Sequence, residues 1–513
     1  MEFRVNATIR RQWTLRKSRI ERRLEKKARV KNPGKPVFTA RNIHYEFSDR
    51  VGAIAHGGIG AFHLLARRTG LIDAIDERLH LLKFHLPYHE SDHVLNFAYN
   101  ALCDGDCLQD IELRRNDEVF LNALGTERIP DPTTAGDFCR RFTANDVRTL
   151  LDIINDVRQK VWARQPADFF ELARIDMDGV LVGTLGECKA GMDIAYDGTW
   201  GYHPLIVSLA NTQEVLSVVN RPGNRPSHEG AAAEVDRVLK FCFKGGFQKV
   251  RLRGDTDFSQ TKHLDRWTDD SRVSFVFGLD CTGNRHFLAD QLPTMNWQPL
   301  VRPPKYEIKT VPRAKPERVK EKIVRQRAFQ NIVLKSEDVA EMEYRPTACT
   351  KTYRLVVVRK NLSIEKGEVV LFPDYRYFFY LTNDRTSTPT EVVLEANQRC
   401  NQENLNAQLQ SGVRALYAPV DALESNWAYM VMTALAWNLK AWWALWPTET
   451  PRHRQRHRDE KRTVLGMEFK TFAAAFVRMP CQIVRTGRRL IYRLLSWNRW
   501  QPLFFRTFDQ LRC

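Results

Sequence analysis

Between Arg174 and Gly278 five short strand-like runs follow one another, and the way they are connected constrains the fold more than any other feature of the chain. Arg174–Val182, Pro204–Ala210 and Glu214–Asn220 are rich in Ile, Val and Leu, and Asn211-Thr-Gln213 reads as a tight turn. From Glu229 to Phe243 the period changes: Val235, Val238, Leu239 and Cys242 fall on one helical face, and Gly245-Gly246 ends it. Lys249–Arg253 is a fourth strand, Ser259–Trp267 a second helix and Val273–Gly278 a fifth strand. Three strands joined by hairpins, then two reached through helices, predict a mixed sheet covered by helices.

Around this centre the 513 residues leave room for about three domains of ~150 residues each. The first 40 form a basic arm, closed by Asn32-Pro33-Gly34-Lys35-Pro36. Residues 41–165 are helical, with helices at Asp92–Leu102 and Thr134–Arg141. A third starts at Thr143, where Thr143 and Asp146 are spaced for a capping box and Val147, Leu150, Leu151, Ile154 and Val157 recur at helical intervals. That pattern suits a helix-turn-helix DNA-binding module and an ordinary packing domain alike. The predicted core occupies 166–281. It is interrupted over 282–388 by a β-rich insertion with strands at Tyr353–Arg359, Glu368–Phe372 and Tyr375–Thr382, and resumes over 389–447. A basic helical region, 448–513, closes the chain.

The formal charge is +18, and its placement is informative. Residues 1–35, 302–335 and 452–513 carry net charges of +10, +8 and +11, so the rest of the chain is acidic. Clustered Lys and Arg suit phosphate contacts, although charge alone fits an anionic membrane surface as well. The ten cysteines include no CxxC pair, which points to free thiols in a reducing compartment, and the N-terminus lacks the apolar segment of a signal peptide. Trp427–Trp446, interrupted by Asn438 and Lys440, reads as a buried helix and not a membrane span.

Four acids stand out on this framework. Asp176 and Asp178 share one face of the first strand, because side chains alternate. Arg251, Arg253 and Asp255 share a face of the fourth, with Asp255 at its C-terminal end, where open α/β sheets carry their chemistry. Glu403 follows Arg399 by one helical turn. Hard carboxylate oxygens of this kind hold pairs of Mg²⁺ ions, which activate water or a 3′-hydroxyl toward a phosphodiester.

With these residues in view, the chain resembles the DDE transposases of bacterial insertion sequences, in the branch with a β-rich insertion between the second Asp and the Glu. The resemblance lies in Ile175-Asp-Met-Asp-Gly179, Arg253-Gly-Asp-Thr-Asp-Phe258 and Asn397-Gln-Arg-Cys-Asn-Gln-Glu-Asn404. It continues in Tyr88-His-Glu-Ser-Asp-His-Val-Leu95, Ile129-Pro-Asp-Pro-Thr-Thr-Ala-Gly136 and Pro480-Cys-Gln-Ile-Val-Arg-Thr-Gly-Arg-Arg489. It implies an α/β fold: a ribonuclease-H-like mixed sheet flanked by helices, with a helical N-terminal DNA-binding region and the insertion. The implied catalytic and metal-binding triad is Asp178, Asp255 and Glu403. Asp178 is preferred over its rival Asp176 because the family's first acid precedes a small residue, here Gly179. Two Mg²⁺ ions, replaceable by Mn²⁺, are the implied cofactor. The implied partners are double-stranded DNA, as terminal inverted repeats and target, and a second copy of the chain; the implied location is the bacterial cytoplasm, at the nucleoid. The implied reaction is cut-and-paste transposition by direct attack of a 3′-hydroxyl.

The branch also expects Tyr three residues before the Arg and Lys seven after the Glu; Ala396 and Gln410 stand there instead. Arg399 is the expected phosphate contact. Arg221, Asn224 and Arg225 in a turn-rich loop, Arg253 on the Asp255 face, and Arg488 and Arg489 near the C-terminus are further expected DNA contacts. Trp297 in the insertion is either a base-stacking residue or a buried one. His89-Glu-Ser-Asp-His93 fits a zinc-protease pattern, but Pro87 and Ser91 place a helix start inside it, which would separate the two histidines.

Overall fold

The computed structural model describes residues 7–28, 43–45, 52–85, 87–302, 333–365, 368–487 and 489–512. The breaker cluster at 32–36, most of the basic stretch 302–335 and Arg488 lie outside them. Within the basic arm, Ala7–Ala28 forms helix α1, which carries nine Lys and Arg against two Glu. It docks on the C-terminal region: Trp13 donates to the Asn498 carbonyl at 3.3 Å, and its ring lies 5.8 Å from that of Trp497.

The helical region contains α2 (Glu90–Leu102), α3 (Pro132–Arg140) and α4 (Ala144–Trp162). The Thr143–Asp146 capping box forms as expected, with Thr143 N donating to Asp146 Oδ2 at 2.9 Å and Asp146 N to Thr143 Oγ1 at 3.3 Å. The zinc-protease-like motif is divided among three structural tasks. His89 caps α2, Glu90 accepts from the Leu81 and Leu82 amides at 3.0 Å, and His93 stacks on Phe138 at 4.2 Å.

The core strands are β1 (Ala173–Gly179), β2 (Leu205–Leu209), β3 (Glu214–Val219), β4 (Val250–Gly254) and β5 (Val273–Leu279); helix α5 (Ala231–Lys244) connects β3 to β4. Their spatial order is β3-β2-β1-β4-β5. The hairpin-linked strands pair antiparallel, while β1, β4 and β5 run parallel. This is the expected ribonuclease-H-like mixed sheet flanked by helices. The helix expected at Ser259–Trp267 shrinks to 3₁₀ turns followed by Leu264–Asp269.

The β-rich stretch continues this sheet. It contributes β6 (Gln298–Pro299), β7 (Val333–Tyr344), β8 (Tyr353–Glu365) and β9 (Glu368–Thr382), and the full order is β6-β7-β8-β9-β5-β4-β1-β2-β3. The junction is antiparallel, with Phe379 opposite Leu279 and Thr382 opposite Val276. The two strands expected between Glu368 and Thr382 are one, running through Pro373. Strand β7 has no counterpart in the sequence reading. Its acids are matched across the sheet and beside it: Asp338 with Arg359 at 3.0 Å, Glu341 with Arg354 and Glu343 with Arg385.

Helices α6 (Pro389–Gln398) and α7 (Cys400–Ala407) follow, separated at Arg399. Val392 and Val393 of α6 share a small core with Val276, Leu300, Val339, Val356 and Val358, so this helix seals the seam between core and insertion strands. Next comes α8 (Leu423–Leu445), buried at every residue from Ser425 onward. The two polar residues that interrupt its apolar run have partners. Asn438 bonds both the NH and the C=O of Val215 on edge strand β3, at 3.0 and 3.1 Å. Lys440 donates to the Leu465 carbonyl at 2.8 Å and lies 3.7 Å over the Trp437 ring. Among the described residues no helix is long and apolar enough to cross a membrane.

A buried polar knot ties these layers together. Glu214 of β3 accepts from Arg158 Nε (2.9 Å) and Trp162 Nε1 (2.9 Å) of α4, Thr212 Oγ1 (2.6 Å), and Trp442 Nε1 (3.0 Å) of α8. The C-terminal region corrects the expectation of helices alone. Strands β10 (Cys481–Thr486) and β11 (Arg489–Leu494) form a hairpin that pairs with Ala53–Ile54, between helices Phe469–Phe476 and Gln501–Arg512. The run Arg489–Leu494 alternates exposed and half-buried residues, the period of a strand with one covered face.

Candidate active site

Parallel pairing of β1 with β4 sets Asp176 beside Arg253, so both strands end at the same edge of the sheet. Asp178 lies at the end of β1 and Asp255 just beyond β4. Helix α7 crosses this edge and brings Glu403 to it. The three acids surround one guanidinium: Arg399 Nη1 is 4.0 Å from Asp178 Oδ2, and Arg399 Nη2 is 3.7 Å from Asp255 Oδ2 and 3.9 Å from Glu403 Oε1. All three separations exceed a hydrogen bond, and Arg399 Nη1 is buried with no hydrogen-bond partner. Exposure increases from Asp178 (17%) through Asp255 (36%) to Glu403 (64%), so the cluster opens outward through Glu403.

The rival first acid has a different environment. Asp176 is 1% exposed and receives a two-pronged pair from Arg253, Nε to Oδ1 at 2.6 Å and Nη2 to Oδ2 at 2.7 Å. The remaining nitrogen of Arg253 donates to Glu395 Oε1 at 3.0 Å, and Glu395 also accepts from Arg174 at 2.8 Å. Arg253 is itself 1% exposed, so its expected role as a DNA contact is corrected: its donors are committed inside the protein. Alternation did put Arg253 on the Asp255 face, but α6 covers that face and supplies Glu395 to hold it.

A chain of amides, linking residues far apart in the sequence, orients Asp178. Ser208 Oγ of β2 donates to Gln402 Oε1, Gln402 Nε2 to Asn406 Oδ1 (3.3 Å) and Asn406 Nδ2 to Asp178 Oδ2 (2.8 Å). Gln402 and Asn406 are four residues apart on the buried side of α7, a spacing visible in the sequence once the helix is granted. Burial pushes the Asp178 carboxyl up to about 7; Arg399 opposes the shift, and neighbouring Asp255 adds to it. Burial also raises Asp255, again against Arg399.

Three carboxylates facing a single arginine leave an excess of negative charge, offered entirely through hard oxygen atoms. As they stand, the described residues contain no group of three His, Cys, Asp or Glu side chains placed to hold a metal ion; Arg399 occupies the centre of these three. Their donor chemistry nevertheless fits a hard divalent cation.

The sequence profile of a family described as "Transposase DDE domain group 1" matches residues 37–513. The chain belongs to this family. Such domains generally work with divalent metal ions, and transposases bind DNA. None of the curated proteins matches the chain. Among solved structures it is similar to the piggyBac transposase in a cryo-EM synaptic complex with hairpin DNA. Identity there is 12%, coverage 82% of this chain and 81% of that one, and the TM-score 0.36, too distant a likeness to carry an argument.

The remaining expected residues of this DDE transposase have varied surroundings. Arg221 is buried, donating to the carbonyls of His203 (2.8 Å), Pro226 (3.2 Å), Ser227 (3.0 Å) and Glu229 (2.6 Å), so it shapes the loop from within and is not offered to DNA. Asn224 and Arg225 are exposed on that loop, Asn224 bonding Asp193 Oδ2 and Arg225 lying 3.4 Å from Glu229. Arg489 is exposed on the C-terminal hairpin. Trp297 is half-buried beneath the Arg359 guanidinium, 4.2 Å from its ring centre. Ala396 packs against the small core under α6, and Gln410 donates to the Leu181 carbonyl at 3.3 Å.

Proposed function

We propose that the chain binds terminal inverted repeats, cleaves DNA at the element ends and joins the freed 3′-hydroxyl to target DNA, by a cut-and-paste route and as a homodimer. The observation that carries this reading is the convergence of Asp178, Asp255 and Glu403, from two strand ends and a crossing helix, on one edge of the sheet around Arg399. These three acids would hold two Mg²⁺ ions, with Mn²⁺ as a substitute. Bound there, the ions would supply a more acidic water or 3′-hydroxyl and neutralise charge on the phosphodiester.

The chain's own groups do the rest. Asn406 fixes the Asp178 carboxylate, and the locked Asp176–Arg253–Glu395 set holds β1, β4 and α6 in register beneath the acids. Arg399 keeps a planar guanidinium among the acids, the group that would pair with a phosphate approaching from their open side. Asn224, Arg225, Arg489 and the basic face of α1 are the surface groups suited to the DNA backbone.

The test incubates the protein with DNA carrying the element ends, Mg²⁺ and a target plasmid. Nicked ends and joined products are expected. Asp178→Asn, Asp255→Asn and Glu403→Gln should each abolish both while leaving DNA binding intact. Activity surviving any of the three would remove that residue from the triad, and cleavage without joining would replace the transposase reading with a nuclease.

A further inference from the structure

The two arginines at the sheet edge are held in opposite ways. Arg253 is locked, with hydrogen bonds of 2.6, 2.7 and 3.0 Å and almost no exposure. Arg399 has three carboxylates around it, none nearer than 3.7 Å, and an unpartnered Nη1. Its backbone position differs as well. It marks the break between α6 and α7, serving as the last cap of one helix and the first of the next. A cation that balances three acids without a hydrogen bond to any is held by charge and not by shape.

We propose that Arg399 is a displaceable counter-cation. In the DNA-free protein it fills the centre of the acid cluster and suppresses binding of divalent cations there; a phosphate at the cluster's open side draws the guanidinium away and frees the acids. This rests on the reading of Asp178, Asp255 and Glu403 as metal ligands. Arg399 and a divalent cation compete for the same carboxylate oxygens, so removing the arginine's charge must strengthen cation binding. A phosphate satisfies the guanidinium with paired hydrogen bonds, which the three acids at their present distances do not. The phosphate contact and the cation site thereby become coupled: each ligand favours the arrangement that accepts the other. The cluster then takes up metal chiefly when a phosphodiester is present, which limits metal-loaded enzyme without DNA.

The experiment measures Mn²⁺ binding to the full-length, DNA-free protein by calorimetry, alongside its melting temperature. Arg399→Gln should bind Mn²⁺ roughly tenfold or more tightly than wild type, whereas Arg399→Lys, which retains the charge, should stay near wild type. Mn²⁺ should also raise the melting temperature of Arg399→Gln more than that of wild type. A purely structural arginine would predict equal or weaker binding in Arg399→Gln, and that result would overturn the proposal. Should Arg399→Gln fail to fold, tightened Mn²⁺ binding in Arg399→Met supports the proposal, and unchanged binding there overturns it. The double variant Arg399→Gln/Asp255→Asn separates the two readings. Loss of the tightened binding confirms the acids as its site. Retention of it would mean the cation binds elsewhere, which removes the metal-ligand reading and this proposal with it. Equal binding in wild type and Arg399→Gln, abolished in both by Asp255→Asn, would spare the ligands and reject the arginine's role.

Discussion

Replacing Asn406 with Leu should slow DNA cleavage without unfolding the protein, and the structure sets the size of the effect. Asn406 Nδ2 donates to Asp178 Oδ2 at 2.8 Å, far closer than Arg399 at 4.0 Å. A hydrogen bond to a charged acceptor contributes about 1.5–3 kcal/mol, which corresponds to roughly 10- to 100-fold in rate or metal affinity. Leucine is close in size, so α7 should retain its packing, while Gln402 loses its acceptor and Asp178 its orienting donor. The same substitution removes a stabiliser of the ionised carboxylate, so the Asp178 pKa should rise beyond its already elevated position. The assay is single-turnover nicking of end DNA across a Mg²⁺ titration, with circular dichroism and DNA binding as controls. A 10- to 100-fold loss, partly recovered at higher Mg²⁺, is expected. A rate within about twofold of wild type at every Mg²⁺ concentration would refute the claim that the amide chain positions Asp178.

Other predictions address the scaffold. Glu214→Gln places an amide NH₂ against indole, hydroxyl and guanidinium donors and strips Arg158 of its counter-charge, so unfolding should become easier by about 3–5 kcal/mol in a denaturant titration followed by tryptophan fluorescence. Asp176→Asn should destabilise the fold, whereas Asp178→Asn should leave the melting temperature near wild type and abolish nicking; the reverse pattern would exchange their roles. Burial lowers the pKa of Lys440 to about 7. Between that value and the ordinary lysine range the unfolded chain binds the extra proton, so stability should rise with pH from about 7 toward about 10. Lys440→Met should therefore raise the melting temperature more at pH 6.5 than at pH 9.5; an equal gain at both would count against the shift.

The core strands were legible because each is short, carries apolar residues in runs or in alternation and is bounded by turn residues, and the change from hairpins to helical crossovers anticipated the mixed sheet. Asp255 and Glu403 were legible by position, at a strand end and one helical turn after Arg399. What escaped depended on partners far away in the chain. Val333–Tyr344 carries four acids, Glu337, Asp338, Glu341 and Glu343, which mask a strand pattern until arginines across the sheet and beside it pair with them. Arg253 reads as a DNA contact, but Glu395 of α6, 142 residues later in the chain, holds it inside the protein together with Asp176. The links from Ser208 through Gln402 and Asn406 to Asp178 join β2, α7 and β1, and no local pattern foretells them. The C-terminal hairpin was obscured by its arginines, which occupy the outward positions of strands.

Among the described residues the sheet runs unbroken from the core strands into the insertion strands, and this bears on modularity. Residues 282–388 cannot be treated as a cassette. Excising them would uncover the outer edge of β5, leaving backbone groups of Val276–Leu279 without the strand that now pairs with them, and would remove the valines over which Val392 and Val393 lie. Since α6 leads directly into Arg399 and α7, the loss would be felt at the acids themselves. A shortened catalytic core would have to replace that buttress, and swaps between relatives should move the strands together with the helix they support.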